Sequence, residues 1–443
     1  MMIALYRIKQ LTNSSLVKNS IVYVITDGIN KAIPFILLPF ISRYLTPADY
    51  GIVSNYSVYI QILSVVVYLC TAGIIPVMFF KVDRADLKVY ISNMLLINTV
   101  ASLLCLIVAF FGNKIIDQYL SIPFFVQAIG ILSVWFTSFT NINLVLWRCE
   151  EKPLWFGSYQ ISQSMLSAVT TVLFVMVLLM GWKGRVYSMM VSCIIMGIIS
   201  LWMLHARGYM EYHFSVKHVK SILIFSLPLL PHALSFWFKS GTDKILLTNL
   251  CGLSDNGLFS VALTWGAVVS LILVAYNNSY SPFLFKKLSE FDKNRDDTMP
   301  QQQKLVKVIW LSLAVTFLSV ALIYVICHFL TYIIYPESYY GSLDYLPLVM
   351  VSQAFNGAYL LFVCFCHYTL KTKVLGAITF SLSLMQVLLS YLLIKQFGPI
   401  GVAYSAATIS IATFFAVAIY AMRIYRLPWF KIMLHSNDKL RKI

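Results

Sequence analysis

The sequence predicts an all-α integral membrane protein, with about twelve transmembrane helices in two parallel-repeat six-helix bundles around a central cavity. Three observations lead there. Of the 443 residues, 60% are hydrophobic and 11% are charged, and the mean hydropathy is +0.80, which is outside the range of ordinary soluble domains. The apolar residues gather in continuous runs of about 20, the length a helix needs to cross the hydrocarbon layer, rather than in the short alternating segments of a β-barrel. Finally, a repeat is legible at an offset of 206 residues: Asp49, Gly51, Ser54, Ser64, Pro76, Phe79 and Lys81 fall on Asp255, Gly257, Ser260, Ser270, Pro282, Phe285 and Lys287. Six spans per half is an even number, so both halves enter the membrane in the same sense, about an axis along its normal.

The expected spans are 17–42, 51–80, 89–112, 122–147, 156–180, 185–205, 220–249, 256–285, 305–331, 345–368, 372–395 and 399–423. They group into an N-terminal bundle (1–206), a cytoplasmic linker (207–219), a C-terminal bundle (220–425) and a basic cytoplasmic tail (426–443). The first twenty residues carry Arg7, Lys9 and Lys18 but no short apolar run with a small-residue cleavage site, so no signal peptide is read there. Ile3, Leu5, Ile8 and Leu11 suit either a short amphipathic surface helix or a frayed tail. Loop charge sets the orientation. One side holds 25 of the 33 Lys and Arg residues and the other holds five, Arg43, Lys114, Lys183, Arg185 and Lys395, so both termini are expected in the cytoplasm. The net charge of +16 then follows from orientation and attraction to anionic membrane lipids, and implies no nucleic-acid partner. The longest polar stretch, Lys286 to Lys304, reads as a flexible link. A second echo of the repeat, Gly-x-x-Gly-x-x-Tyr-Ser, links Gly181–Ser188 to Gly398–Ser405 at an offset of 217.

Two spans break the apolar rule. The first contains Asp27, Lys31, Pro34 and Pro39; the seventh contains Pro228, Pro231, His232, Lys239, Asp243 and Lys244. A charge near the bilayer centre costs roughly 3 kcal/mol even on lenient scales, so these residues suggest helix faces turned to a polar cavity. Asp27 and Lys31 are four residues apart, on one helix face, with the acid first in the favourable order. In that reading Lys31, Lys239 and Lys244 create a positive field for an anionic substrate, and Asp27 and Asp243 balance it. The other reading is that Asp27 with Lys31, and Lys239 with Asp243, are ion pairs that only hold helices together. His232 is either a group titrating near neutral pH or a hydrogen-bonded structural histidine. The four prolines remove backbone donors and mark expected hinges. Arg43 and Asp49 suit interfacial anchoring or capping. Asn30, Tyr159, Gln160, Gln163, Trp237, Asn277, Asn278, Gln353 and Asn356 are polar or aromatic candidates for sugar contact, set against ordinary helix-to-helix hydrogen bonding.

The runs PFILLPFISRYLTPADYGIVS (Pro34–Ser54), SLPLLPHALSFWFKSGTDKILL (Ser226–Leu247) and YYGSLDYLPLV (Tyr339–Val349) resemble the polysaccharide transporters of the multidrug/oligosaccharidyl-lipid/polysaccharide exporter superfamily, and within it the Wzx-type O-antigen flippases. The resemblance covers about residues 15 to 425. It implies a bacterial inner-membrane protein of lipopolysaccharide or other polysaccharide biosynthesis. Such a protein turns undecaprenyl-pyrophosphate-linked oligosaccharide from the cytoplasmic to the periplasmic leaflet by alternating access, with polysaccharide polymerase machinery as a potential partner. Where members of that family commonly have Asp-Arg, this chain has Asp243-Lys244, which keeps the charge and loses the bidentate fork. The residue chemistry fits the same substrate class, since a polyprenyl-pyrophosphate lipid needs a cationic, hydrated route for its head.

Other classes remain open at this point. A cation-coupled exporter of the same superfamily favours excess carboxylate, whereas intramembrane lysines here outnumber aspartates three to two. A membrane polymerase or acyltransferase needs catalytic groups on sizeable outer loops, and the longest of these, about 331–344, offers only Glu337 and Asp344. No phosphate-binding glycine loop, zinc motif or nucleophile elbow is present, so neither enzymatic activity nor a cofactor is expected. Cys364-x-Cys366 has no matching pair and reads as two small apolar residues within a span.

Overall fold

The computed structural model describes residues 15–211, 213–293 and 299–429. The side chains at positions 27, 31, 34 and 232 also lie outside the description, as does most of the basic tail. Among the described residues every regular element is helical. The principal helices are α1 (Ser15–Ile41), α2 (Pro47–Tyr68), α3 (Arg84–Leu120), α4 (Phe124–Cys149), α5 (Pro153–Thr171), α6 (Gly181–Ala206), α7 (Val216–Ser226), α8 (Leu230–Leu250), α9 (Leu253–Lys293), α10 (Met299–Ile334), α11 (Ser342–Tyr368), α12 (Thr372–Phe397) and α13 (Gly401–Ile424).

Nine runs among the described residues are long and apolar enough to cross a bilayer. One of them, Thr372–Ile424, holds both α12 and α13, which separate at Gly398. The charged spans do not add to the nine: only Gly28–Ile41 of α1 counts as an apolar stretch, and α7 is parted from α8 by a tight turn at Leu227–Leu229. Lipid-facing stripes are plain elsewhere. On α3, Leu104, Val108 and Phe111 recur at helical spacing and are 57%, 67% and 82% exposed, which in a membrane is contact with acyl chains. The molecule is a multi-pass membrane protein.

The chain falls into two compact units, Met1–Gly257 and Leu258–Ile443. In the first, Tyr56, Leu63 and Val67 of α2 pack with Ile131 and Val134 of α4 and with Val186 and Met190 of α6. A second cluster joins Ile91 and Met94 of α3 to Phe139 and Leu146 of α4, Leu204 of α6 and Ile222 of α7. Close approach depends on small residues, as is usual where lipid offers no hydrophobic drive between helices. A Cβ on Gly157 of α5 would lie 2.5 Å from the Thr26 hydroxyl of α1, and one on Gly197 of α6 would lie 2.4 Å from Cβ of Phe136. The expected linker is no free span. Asn93 of α3 donates to the His213 carbonyl at 3.0 Å and accepts from the Ser215 amide at 3.1 Å. Ser92 accepts from the Glu211 amide at 2.8 Å, and His218 meets Asp86 at 2.8 Å. The second unit is built on Leu284 and Leu288 of α9, Ile309 of α10, Phe362 and Phe365 of α11 and Val417 of α13.

The α2 start is specified locally. Thr46 and Asp49 form a reciprocal capping box, at 3.0 and 3.1 Å, with Pro47 in the first turn, so Asp49 is a capping residue. Both sequence echoes acquire physical meaning. A Cβ on Gly51 would lie 2.0 Å from the Leu253 carbonyl oxygen, and one on Gly257 would lie 1.8 Å from that of Pro47. Pro47 and Leu253 are themselves matched at the offset of 206, so the contact is reciprocal. In the second echo, Gly181 and Gly398 take φ of +57° and +70°, a region costly for other L-residues. Gly184 and Gly401 then sit against the preceding helix, where a Cβ would lie 2.7 Å from the Phe174 oxygen and 2.2 Å from the Leu393 oxygen. The terminal serines each bridge back to a hydroxyl, Ser188 to Thr171 at 2.7 Å and Ser405 to Ser390 at 2.9 Å.

Candidate functional site

The charged helix α8 owes its position to the turn before it. Pro228 lies in the turn Leu227–Leu229, and Pro231 lies in the first turn of α8, where the missing donors interrupt the helical ladder least. Pro34 and Pro39, by contrast, lie within the single helical span of α1, with Pro39 half-buried. Two prolines not singled out as hinges, Pro282 and Pro347, lie inside α9 and α11.

On α8, Trp237, Gly241 and Thr248 form the stripe toward α2. Trp237 Nε1 donates to the Val58 carbonyl at 3.1 Å, and Thr248 donates to Asn55 Oδ1 at 3.1 Å. A Cβ on Gly241 would lie 2.9 Å from that indole nitrogen and 3.1 Å from Val58 Cγ1. Lys239 and Asp243 are four residues apart and, by the 3.6-residue repeat, share the opposite side. Asp243 is 4% exposed, and Lys239 and Lys244 are half-buried. The Asp243 carboxylate lies within electrostatic reach of both ammonium groups. The expected charges at Asp27, Lys31 and His232 lie outside the described side chains. Their helical register places positions 27 and 31 one residue beyond Thr26 and Asn30, the residues through which α1 meets Gly157 and Ser164 of α5.

A cavity of about 790 Å³ opens within the first unit, between the end of α2, the middle of α3, the second half of α4 and the start of α5. Its polar walls are Asn98, Ser138, Asn141 and Gln160, with Arg148 and Glu151 where α4 gives way to α5; Tyr68 and Phe156 add aromatic faces. The chain makes room for it by an unusual turn. Leu69 and Cys70 adopt φ of 46° and 57°, conformations rarely taken by non-glycine residues, and lead into the short turn Thr71–Ile74. Thr71 then donates to Asn98 Oδ1 at 3.2 Å. Gln160 Oε1 is buried without a hydrogen-bond partner among the described residues.

Most sequence candidates for sugar contact have structural employment instead. Asn30 accepts from Ser164, Tyr159 donates to the Met196 carbonyl, Gln163 reaches Cys193 Sγ at 3.9 Å, and Asn277 accepts from Ser281 at 3.4 Å. Gln160 is the candidate that lines the cavity. Asn98, Ser138 and Asn141 carry no distinguishing sequence signal, because an amide or hydroxyl in a span reads equally as helix-to-helix glue. Only the space beside them separates the two roles.

Residues 16–287 match the family model described as Polysaccharide biosynthesis protein. The chain is similar to a Haemophilus influenzae protein of the Lsg locus, 26% identical over 411 residues that cover 90% of this chain and 97% of the relative. It is also similar to the capsular polysaccharide biosynthesis protein CapF of Staphylococcus aureus, 23% identical over 91% of this chain and 98% of that one. Among solved structures, it shares its fold with an inward-facing multidrug resistance MATE family transporter of the MOP superfamily, at a TM-score of 0.72, 14% identity and coverage of 91% and 98%. The lipid II flippase MurJ in an inward closed conformation matches at a TM-score of 0.70, 15% identity and coverage of 90% and 87%.

Proposed function

Because the chain belongs to the polysaccharide biosynthesis protein family, we propose that it is a flippase for lipid-linked oligosaccharide, the undecaprenyl-pyrophosphate-linked repeat unit of an O-antigen or similar polysaccharide. The observation that carries this reading is the 790 Å³ cavity walled by amides, hydroxyls and aromatic rings within membrane-crossing helices. A sugar head needs such a lining: its hydroxyls replace lost water with amide and hydroxyl partners, and its apolar ring faces suit Tyr68 and Phe156. The lipid tail needs no site, since it stays in the bilayer while the head crosses.

The diphosphate linkage is the costly part of the cargo, carrying about two negative charges through a layer where each is strongly disfavoured. Lys239 and Lys244, with Lys31, supply the compensating charge; Asp243 and Asp27 keep the empty site from retaining an anion. Pro228 and Pro231, with Pro34 and Pro39, serve as the bends through which helices move between inward-open and outward-open states. The lysine and arginine distribution directs the cytoplasmic loops, so transport runs from the cytoplasmic to the periplasmic leaflet of the bacterial inner membrane, where polymerase machinery receives the product.

The test is flipping of a fluorescent lipid-linked oligosaccharide in liposomes. Lys239→Glu should abolish it and Lys239→Arg should leave part, because the demand is for positive charge; Asn141→Leu should slow it about tenfold, the loss of one hydrogen bond to a bound head. Wild-type rates in both Lys239→Glu and Asn141→Leu would refute the reading.

A further inference from the structure

A second pocket, of about 450 Å³, lies in the first unit and is lined by Phe79, Arg84, Glu150, Lys152, Arg207 and Tyr209. Three helix ends converge on it: α3 begins at Arg84, α4 ends just before Glu150, and α6 ends just before Arg207. The wall holds three cations and one carboxylate.

Three side chains approach the carboxylate. Arg207 Nη2 pairs with Glu150 Oε1, the Tyr209 hydroxyl donates to the same oxygen at 2.5 Å, and Lys152 Nζ stands 3.0 Å from Oε2. Arg207 is itself fixed. Its Nη1 donates to Asn143 Oδ1 at 2.8 Å, and its guanidinium carbon lies 5.2 Å from the Trp147 ring centre and 5.0 Å from that of Tyr209. A cation at a helix C-terminus, hydrogen-bonded and stacked on aromatics, is adequately explained as a structural residue.

Arg84 and Lys152 are not explained in that way. Arg84 gives one hydrogen bond, Nη2 to the Arg207 carbonyl at 2.9 Å, and lies 5.1 Å above the Tyr209 ring. It has no carboxylate partner among the described residues. The Lys152 side chain is 52% exposed and keeps two of its three donors. Burial opposes ionisation of Glu150, yet the bonds from Tyr209 and Lys152 and the charge of Arg207 outweigh it and hold the carboxyl below its usual range. The pocket therefore presents a net charge of +2 at neutral pH. Phe80, Leu154 and Trp155, close in sequence to the lining residues Phe79 and Lys152, are exposed, and tryptophan is a residue type that settles at the boundary between hydrocarbon and headgroups.

We propose that this pocket binds the phosphate of a membrane lipid headgroup, with Arg84 and Lys152 donating to it from two sides. A phosphomonoester or diphosphate suits the site best. Its two negative charges match the +2 of the wall, and its oxygens accept the fork of Arg84 and the point charge of Lys152 together. A zwitterionic headgroup would bring its own cation into a cationic pocket. The assignment stands apart from the transport reading, since it needs only a phosphate at headgroup depth.

The experiment is native mass spectrometry of the purified full chain with equal amounts of dioleoyl phosphatidic acid, phosphatidylglycerol and phosphatidylcholine. Phosphatidic acid should be retained about tenfold more than phosphatidylcholine, the effect of one charge-assisted contact, with phosphatidylglycerol between them. Arg84→Ala with Lys152→Ala should erase that preference, Arg84→Lys should keep part of it, and Lys395→Ala, distant in sequence and outside the pocket lining, should leave it intact. Should the double variant fail to fold, Lys152→Ala alone decides, since its side chain is half exposed: a weakened preference supports the site. Preference unchanged in the variant that folds overturns the proposal. Displacement of bound phosphatidic acid by millimolar inorganic phosphate would overturn the lipid assignment in favour of a free-phosphate site.

Discussion

At the Pro47 end of α2, Asn55, Thr248 and Asn256 hydrogen-bond one another. Asn256 Nδ2 lies 2.8 Å from Asn55 Oδ1, 3.0 Å from Thr248 Oγ1 and 3.2 Å from the Gly51 carbonyl, while Asn55 Nδ2 donates to the Leu120 carbonyl at 2.9 Å. At the Tyr68 end the same residue types, Asn98, Ser138, Asn141 and Gln160, line open space, and Gln160 Oε1 finds no partner among the described residues. The two ends differ in packing rather than in composition. A membrane amide packed among hydrogen-bonding partners holds helices together; one that lines a cavity is placed beside the space a ligand would fill. The first end should accordingly respond to mutation in stability, and the second in transport.

The hardest way to break the contrast is at the glycines of the first end. Gly51→Ala places a methyl 2.0 Å from a carbonyl oxygen that belongs to backbone, so stability should fall by about 3 kcal/mol, the upper range for overpacking. Gly28→Ala, with nothing within 4 Å, should be neutral or gain up to about 1 kcal/mol from helix propensity. Thermal unfolding in detergent measures both. Equal melting of the two variants would mean that the contact yields.

Next in size is Asn256→Ala, which strips the donor from Asn55, Thr248 and the Gly51 carbonyl. A loss of about 2 kcal/mol is expected, with Asn55→Ala contributing little more in the double variant, since the two act as one network. Additive losses would show independent roles.

At the other end, Gln160→Leu should separate the two properties. Removing an unsatisfied buried oxygen should leave melting unchanged or slightly raised, while flipping slows about tenfold, equivalent to about 1.4 kcal/mol of lost stabilisation. A fall in both would return Gln160 to the structural class. The smallest effect concerns acid. Glu150 is held below its usual range, so it contributes stability above the unfolded carboxyl pKa, and that contribution is lost as pH falls through the folded value. Melting followed from neutral pH down past pH 4 should therefore be less pH-dependent in Glu150→Gln than in the wild type.

Much of the architecture was legible because membrane physics leaves strong marks. Long apolar runs, the charges of α8 and the break at Pro228 are all properties of local composition. The repeat was visible at Gly51 and Gly257, yet their purpose was not, since a glycine records that a side chain is absent and says nothing of what occupies its place. The ties of Glu211, His213, Ser215 and His218 to Ser92, Asn93 and Asp86 were not legible, because the partners lie more than a hundred residues apart. Nothing in VLFVMV marks the π-helical turn at Val172–Val177, where packing against α6 rather than propensity decides. The cavity was the least legible feature, since a space has no residues of its own.

The reciprocal glycine contact carries a historical consequence. Residue 47 meets the counterpart of 51, and residue 51 meets the counterpart of 47, which is the i-to-j, j-to-i pattern of an isologous twofold interface. A half-length ancestor with this helix end would be self-complementary, so two identical copies could pair through it before any fusion joined them. The hydrogen-bond network above it does not share that symmetry. Asn256 stands where the first copy has Tyr50, and Asn55 stands where the second has Val261, so the bond between the two asparagines forms once, off the axis. A homodimer would have to form such a bond twice or not at all. The glycine contact keeps a twofold pattern, and the amides beside it do not.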